Sequence, residues 1–126
     1  MTKYLSTVEI LAMHYVLIKR YGGSEGLRDP GTLDSALYRP KSGYYEDIIQ
    51  EAAALWESLT KNHPFIDGNK RIGFAATDTF LRINGYRIKA TSKEIWKMMD
   101  KLINSDNFEY ESLEMWLRQN TEYIRK

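Results

Sequence analysis

Between residues 63 and 71 the chain brings together an imidazole, a carboxylate, a glycine and two cations, in the run His63-Pro64-Phe65-Ile66-Asp67-Gly68-Asn69-Lys70-Arg71. A helical pattern follows at once. Backbone N–H groups in the first turn of a helix have no intrahelical acceptor and point outward, so a loop entering through Gly68 and Asn69 can cradle phosphate oxygens. Gly68 permits the close approach or unusual backbone angle of a phosphate nest. Lys70 and Arg71 complement an anion, lysine as a mobile point charge and arginine as a planar fork. Asp67 offers the hard oxygen that Mg²⁺ takes beside nucleotide phosphates. An imidazole such as that of His63 is the commonest side chain to take a proton from an attacking hydroxyl. A structural His before Pro, a common Asp-Gly turn and a solvated Lys-Arg face account for the same residues equally well. Phe65 reads as the anchor that drives this loop into the core.

Other chemistries are narrowed by what the chain lacks. The stretch is not a P-loop, which needs more glycines and a Ser or Thr after the Lys, and no GxGxxG opens a strand-to-helix unit. There is no cysteine, so thiol nucleophiles, disulfides and sulfur-ligated zinc are excluded. His14 and His63 are the only histidines, too few for a histidine-rich zinc site. Eighteen Lys plus Arg against seventeen Asp plus Glu leave a net charge of +1, which does not imply nucleic acid. The basic end, Arg125-Lys126, is the one mild asymmetry.

The elements that must position the site are readable from their ends. The length of 126 residues, with 43% hydrophobic and 28% charged residues, suits one globular domain over 1–126. No apolar run approaches 18 residues and no signal segment opens the chain, so a cytoplasmic protein is the expectation. Ser6 and Glu9 form a capping box, Leu5 and Ile10 a hydrophobic staple, and Ile10, Met13, His14, Leu17 and Ile18 recur at helical spacing until Gly22-Gly23. On that face His14 reads as a packed or hydrogen-bonded core residue. Asp29-Pro30 starts a short helix with Leu33, Ala36 and Leu37 inward, ending before Pro40. Arg28 and Asp29 read as orienting that helix in preference to reaching the site.

From Glu46 to Thr60, Ile48, Ile49, Ala52, Leu55, Trp56 and Leu59 mark a central helix whose Ala52-Ala53-Ala54 triplet admits a close neighbour. A helix from about Gly68 to Asn84 places Ile72, Ala75, Ala76, Thr79, Phe80 and Ile83 on a buried stripe. Tyr86-Arg87-Ile88 reads as briefly extended. Thr91 and Glu94 box the next helix, with Ile95, Met98, Met99, Leu102 and Ile103 inward, and a last helix runs from about Glu111 to Tyr123. The pattern predicts an all-α fold, a compact bundle of about six helices with short connections.

The stretch from His63 to Arg71 resembles the signature of the Fic/Doc superfamily, His-x-Phe-x-Asp/Glu-Gly/Ala-Asn-x-Arg, and most of all its Doc branch. His63, Phe65, Asp67, Gly68, Asn69 and Arg71 match it without a gap. Gly22-Gly23 through Asp29, the Leu33 to Pro40 segment and the Phe80 to Gly85 helix end are similar to Doc-type chains as well. A small helical bundle is the architecture this resemblance implies.

The resemblance also implies a reaction, with ATP and Mg²⁺ as cofactors. AMP-transferring Fic proteins carry a second Gly where this chain has Lys70 and a second Arg where it has Phe74. In the Doc branch a Lys at the first of these positions accompanies reversed ATP, so that the γ-phosphoryl moves to a protein hydroxyl. On that basis Lys70 would hold terminal phosphates, Asp67 would position Mg²⁺, and Gly68 and Asn69 would line the nest. Arg71 would steady the transferring charge and His63 would activate the acceptor Thr or Ser. Doc proteins are toxins of type II toxin-antitoxin modules, which implies elongation factor Tu as target, translation arrest as result and a Phd-type antitoxin as partner. The superfamily's inhibitory Ser/Thr-x-x-x-Glu-Gly/Asn motif is not matched: Ser105 and Glu109 have the spacing, but Tyr110 takes the last place. An AMP transferase and a non-catalytic nucleotide-dependent binding module are the alternative readings.

Overall fold

Ser6 opens the first helix with both halves of its capping box formed, and Leu5 and Ile10 are buried beside it. The computed structural model describes residues 1–124; the basic pair Arg125-Lys126 lies outside the described residues. Among the described residues six helices follow in order: α1 Thr7–Tyr21, α2 Pro30–Tyr38, α3 Ile48–Lys61, α4 Asn69–Ile83, α5 Ser92–Asn104 and α6 Tyr110–Asn120. The fold is all-α, with a small antiparallel pair of strands, β1 Tyr86–Ile88 and β2 Thr121–Tyr123. No helix among the described residues is long and apolar enough to cross a membrane.

The centre is α3. Ten of its fourteen residues are buried, and Ala52, Ala53 and Ala54 have no exposed surface. It packs on both α4 and α6. Trp56, fully buried on α3, joins them through Phe74, Phe108 and Trp116, at ring-centroid distances of 5.8, 6.0 and 6.0 Å. The close α3–α4 approach depends on Gly73: a Cβ there would lie 2.3 Å from Thr60 Oγ1.

Four expectations are corrected. The helix predicted from Glu46 begins at Ile48, because Asp47 turns out extended and its carboxylate accepts from the Gln50 N–H at 2.9 Å. Arg39, expected to leave the helical region before Pro40, stays there at φ −49°, ψ −47°, and the chain continues as a 3-10 turn over Arg39–Lys41. Its guanidinium is held by Tyr45, Glu57 and Ser58, and these anchors outweigh the local bias of the following proline. On α4, Gly73, Thr77 and Leu81 are buried while Ile83 is exposed and Ala75 and Thr79 are half-buried. The buried stripe is therefore rotated from the predicted one, because the small Gly73 side faces α3. Finally, α6 stops at Asn120 and not Tyr123: Thr121–Tyr123 pair with β1, and the Ile124 N–H donates to Gly85 O at 2.6 Å.

Candidate active site

Asp67 is fixed before any ligand arrives. The Ser24 N–H donates to Oδ2 at 3.0 Å and the Gly68 N–H to Oδ1 at 2.8 Å. These bonds, helped by nearby His14 and Arg71, hold its carboxyl below the usual carboxylate range. The close approach of the Ser24 loop needs Gly23, where a Cβ would sit 2.7 Å from Oδ2. From beneath, His14 Nε2 donates to the Asp67 carbonyl at 2.8 Å and the His14 ring stacks on Phe65 at 3.8 Å. His14 is thus the buried, hydrogen-bonded residue its helical face predicts.

Gly68 caps α4 from the left-handed region at φ +77°, and a Cβ there would press within 3.2 Å of Ile18 Cδ1. Among the described residues the first turn of α4 receives no side-chain cap. In contrast, α1, α2, α3 and α5 are capped by Ser6, Asp29, Asp47 and Thr91. Its amides therefore stay free to meet an anion, with the helix dipole in the same sense. The Asn69 side chain turns inward: Oδ1 accepts from the Phe65 N–H and Nδ2 donates to the Phe65 carbonyl, both at 3.0 Å. Asn69 accordingly ties the loop to the helix through its side chain and faces the opening through its backbone. Phe65, 1% exposed, is the anchor that its position before Asp67 predicts.

Around this helix end opens a cleft of about 980 Å³, lined by His63, Asp67, Gly68, Asn69, Lys70 and Arg71 together. Every candidate residue read from the sequence meets in one place. The exposed Lys70 ammonium lies 3.5 Å from Asp100 of α5, and the Arg71 guanidinium carbon lies 4.6 Å over the Tyr21 ring. Both cations reach across the opening from the first turn. The walls also include Tyr21, Phe74, Asp78, Ser92, Trp96 and Asp100. Of these, sequence reasoning singled out only Phe74; the others stand on α1, α4 and α5, and no local spacing connects them. Ser105 and Glu109 fall in the turn between α5 and α6, where the Ser105 hydroxyl donates to Lys101 O at 2.8 Å.

His63 stands exposed at the cleft edge with φ +52°. A non-glycine residue in that region costs about 1 to 2 kcal/mol, so something outside the residue must hold it there. The loop before α2 runs alongside: Leu27 bridges Phe65, and the Ile66 N–H donates to Gly26 O at 3.0 Å. Arg28 is part of that contact. The Arg28–Asp29 pair, expected to orient α2, bonds the carbonyls of residues 62–64 as well, while Asp29 does cap α2 through the Thr32 N–H at 3.2 Å.

Among the described residues no group of three or more His, Asp or Glu side chains could cage a metal ion. A single ionised carboxylate fits Mg²⁺ that arrives with phosphates, since this ion keeps waters and takes only one or two protein carboxylates. The arrangement can bind a polyphosphate at a helix end, present it to a base and stabilise charge on moving oxygens.

The same stretch of chain carries the likeness to known proteins. The model of the Fic/DOC family matches residues 4–81, which span α1 through most of α4 and the whole 63–71 loop. A protein described as Toxin Doc, from Mycolicibacterium smegmatis, is 40% identical over 95 residues, covering 71% of this chain and 71% of its own. Another, described as Protein kinase doc, from Escherichia phage P1, is 32% identical over 90 residues, covering 68% of this chain and 71% of its own. With an unbroken motif folded around one cleft and a match across more than half its length, the chain belongs to the Fic/Doc family.

Proposed function

We propose that the chain is a Doc-like toxin, a transferase that moves the γ-phosphoryl of ATP to a Ser or Thr hydroxyl of a translation factor. The observation that carries this reading is the uncapped start of α4, surrounded by His63, Asp67, Lys70 and Arg71 in one cleft. The backbone amides of the first turn, with Gly68 as the hinge and Asn69 bracing the loop, receive phosphate oxygens. Lys70 holds terminal phosphates, and Arg71 stabilises the charge that spreads over the oxygens during transfer. His63 takes the proton of the acceptor hydroxyl as its oxygen bonds to the γ-phosphorus. The bond from that phosphorus to the β,γ-bridging oxygen breaks, and ADP leaves. Asp67 would hold Mg²⁺, which when bound neutralises phosphate charge. The relative described as a protein kinase supports this direction of transfer.

Elongation factor Tu is the proposed substrate and translation arrest the proposed outcome, which puts the activity in the cytoplasm. A Phd-like antitoxin is the proposed partner, in keeping with the relative described as a toxin. The test incubates the purified chain, Mg²⁺ and elongation factor Tu with ATP labelled at either the γ- or the α-phosphate, beside His63→Ala. Transfer is expected from the γ-label only, slowed in the variant by roughly 100- to 10,000-fold. Transfer of the α-label would reassign the chain to AMP transfer. Full activity in His63→Ala would remove the base assignment, and no transfer from either label would leave a different target or a binding role.

A further inference from the structure

The conformation of His63 is opposed by local preference twice. Its φ of +52° is uncommon for any residue with a Cβ. It also precedes Pro64, whose ring drives the preceding residue toward extended backbone. Among the described residues the hydrogen bonds at His63 are made by its carbonyl, not its ring. The aim of the imidazole into the cleft therefore depends on the backbone that carries it.

Arg28 opposes the local preference directly. Its Nε donates to the His63 carbonyl and its Nη2 to the Asn62 carbonyl at 2.8 Å. The backbone N–H groups of Arg28 and Asp29 both donate to Pro64 O, at 2.8 and 3.1 Å. Three successive carbonyls of the catalytic loop are thus gripped by two adjacent residues, and Asp29 is itself rooted as the cap of α2. A planar fork suits this task, because two parallel N–H donors fix both the position and the orientation of neighbouring carbonyls. Arg28 does not line the cleft, so direct contact with nucleotide phosphates is not its route of action.

Resting on the assignment of His63 as general base, we propose that Arg28 is a positioning residue: its guanidinium holds His63 in the left-handed backbone that aims the imidazole at the acceptor hydroxyl. Arg28→Lys retains the charge without the fork, and Arg28→Met retains the stem without either. In steady-state transfer to elongation factor Tu, both variants should lose roughly 100-fold in kcat, the scale of an ångström's misplacement, with the KM for ATP unchanged. The backbone ¹³Cα and ¹³Cβ chemical shifts of His63, which differ between left-handed and extended residues, should move in Arg28→Met. A wild-type kcat in Arg28→Lys, a loss confined to KM, or His63 shifts identical to wild type in Arg28→Met would each overturn the proposal. Should the wild-type chain transfer no phosphoryl group, the functional reading fails, and the His63 shifts still decide whether the clamp exists.

Discussion

Asp67 shows how much of a site can be prepared by backbone alone. Two N–H groups, from Ser24 and Gly68, stabilise its ionised form, and its carboxyl sits below the usual range although the side chain is exposed. A depressed carboxylate contributes stability that is present above the unfolded value of about 3.9 and is lost as pH falls through the folded value. Asp67→Asn should therefore melt at a lower temperature than wild type at neutral pH, and the gap should close once the medium is acid enough to protonate Asp67. Melting curves of both proteins between neutral pH and about pH 2.5 test this against the reference carboxylate range; a gap of constant size would remove the ionised state from the account. Asn69, by contrast, spends both faces of its amide on the Phe65 backbone, so its side chain acts on the shape of the loop.

At the level of elements, the crossing of α3 and α4 decides where the cleft lies. The pair meets at Gly73 and Thr60, where a Cβ on residue 73 would lie 2.3 Å from Thr60 Oγ1. That hydroxyl is buried and has no hydrogen-bond partner among the described residues. Gly73→Ala should destabilise the protein by about 1 to 3 kcal/mol through overpacking. Adding Thr60→Ala removes the clashing oxygen and an unpaired polar group together, and should restore most of the loss. Urea denaturation of the single and double variants measures both, and a double variant no better than Gly73→Ala alone would show that the helices touch elsewhere. Gly73 facing α3 is also why Ala75 and Thr79 look toward the cleft, where small side chains leave it open.

For the molecule as a whole, Trp56 is the joint. Its ring meets α4 through Phe74, the α5–α6 connection through Phe108 and α6 through Trp116, and it is fully buried. Trp56→Ala should cost about 3 to 5 kcal/mol, a large share of the 5 to 15 kcal/mol available to a domain of this kind. Denaturant titration followed by far-UV circular dichroism reads that loss. Because Phe74 also lines the cleft, any folded fraction of the variant should bind nucleotide less tightly than wild type. Unchanged binding would separate the core from the site.

What the sequence by itself determined is whatever acts over a few residues. The capping boxes of Ser6 and Thr91, the Asp29-Pro30 start and the stop at Gly22 are governed by chain neighbours, and all are where the spacing puts them. Tertiary structure decided what depends on partners distant in the chain. Arg39 ignores the proline bias because Tyr45, Glu57 and Ser58 hold it, and Thr121 leaves α6 because β1 offers it a pairing edge. The far walls of the cleft, Tyr21 and Trp96, and the clamp from Arg28 to the His63 carbonyl join elements that no periodicity relates. Local energies set where helices begin and end, but only the packing of those helices brings a guanidinium 35 residues away onto the backbone of the histidine it orients.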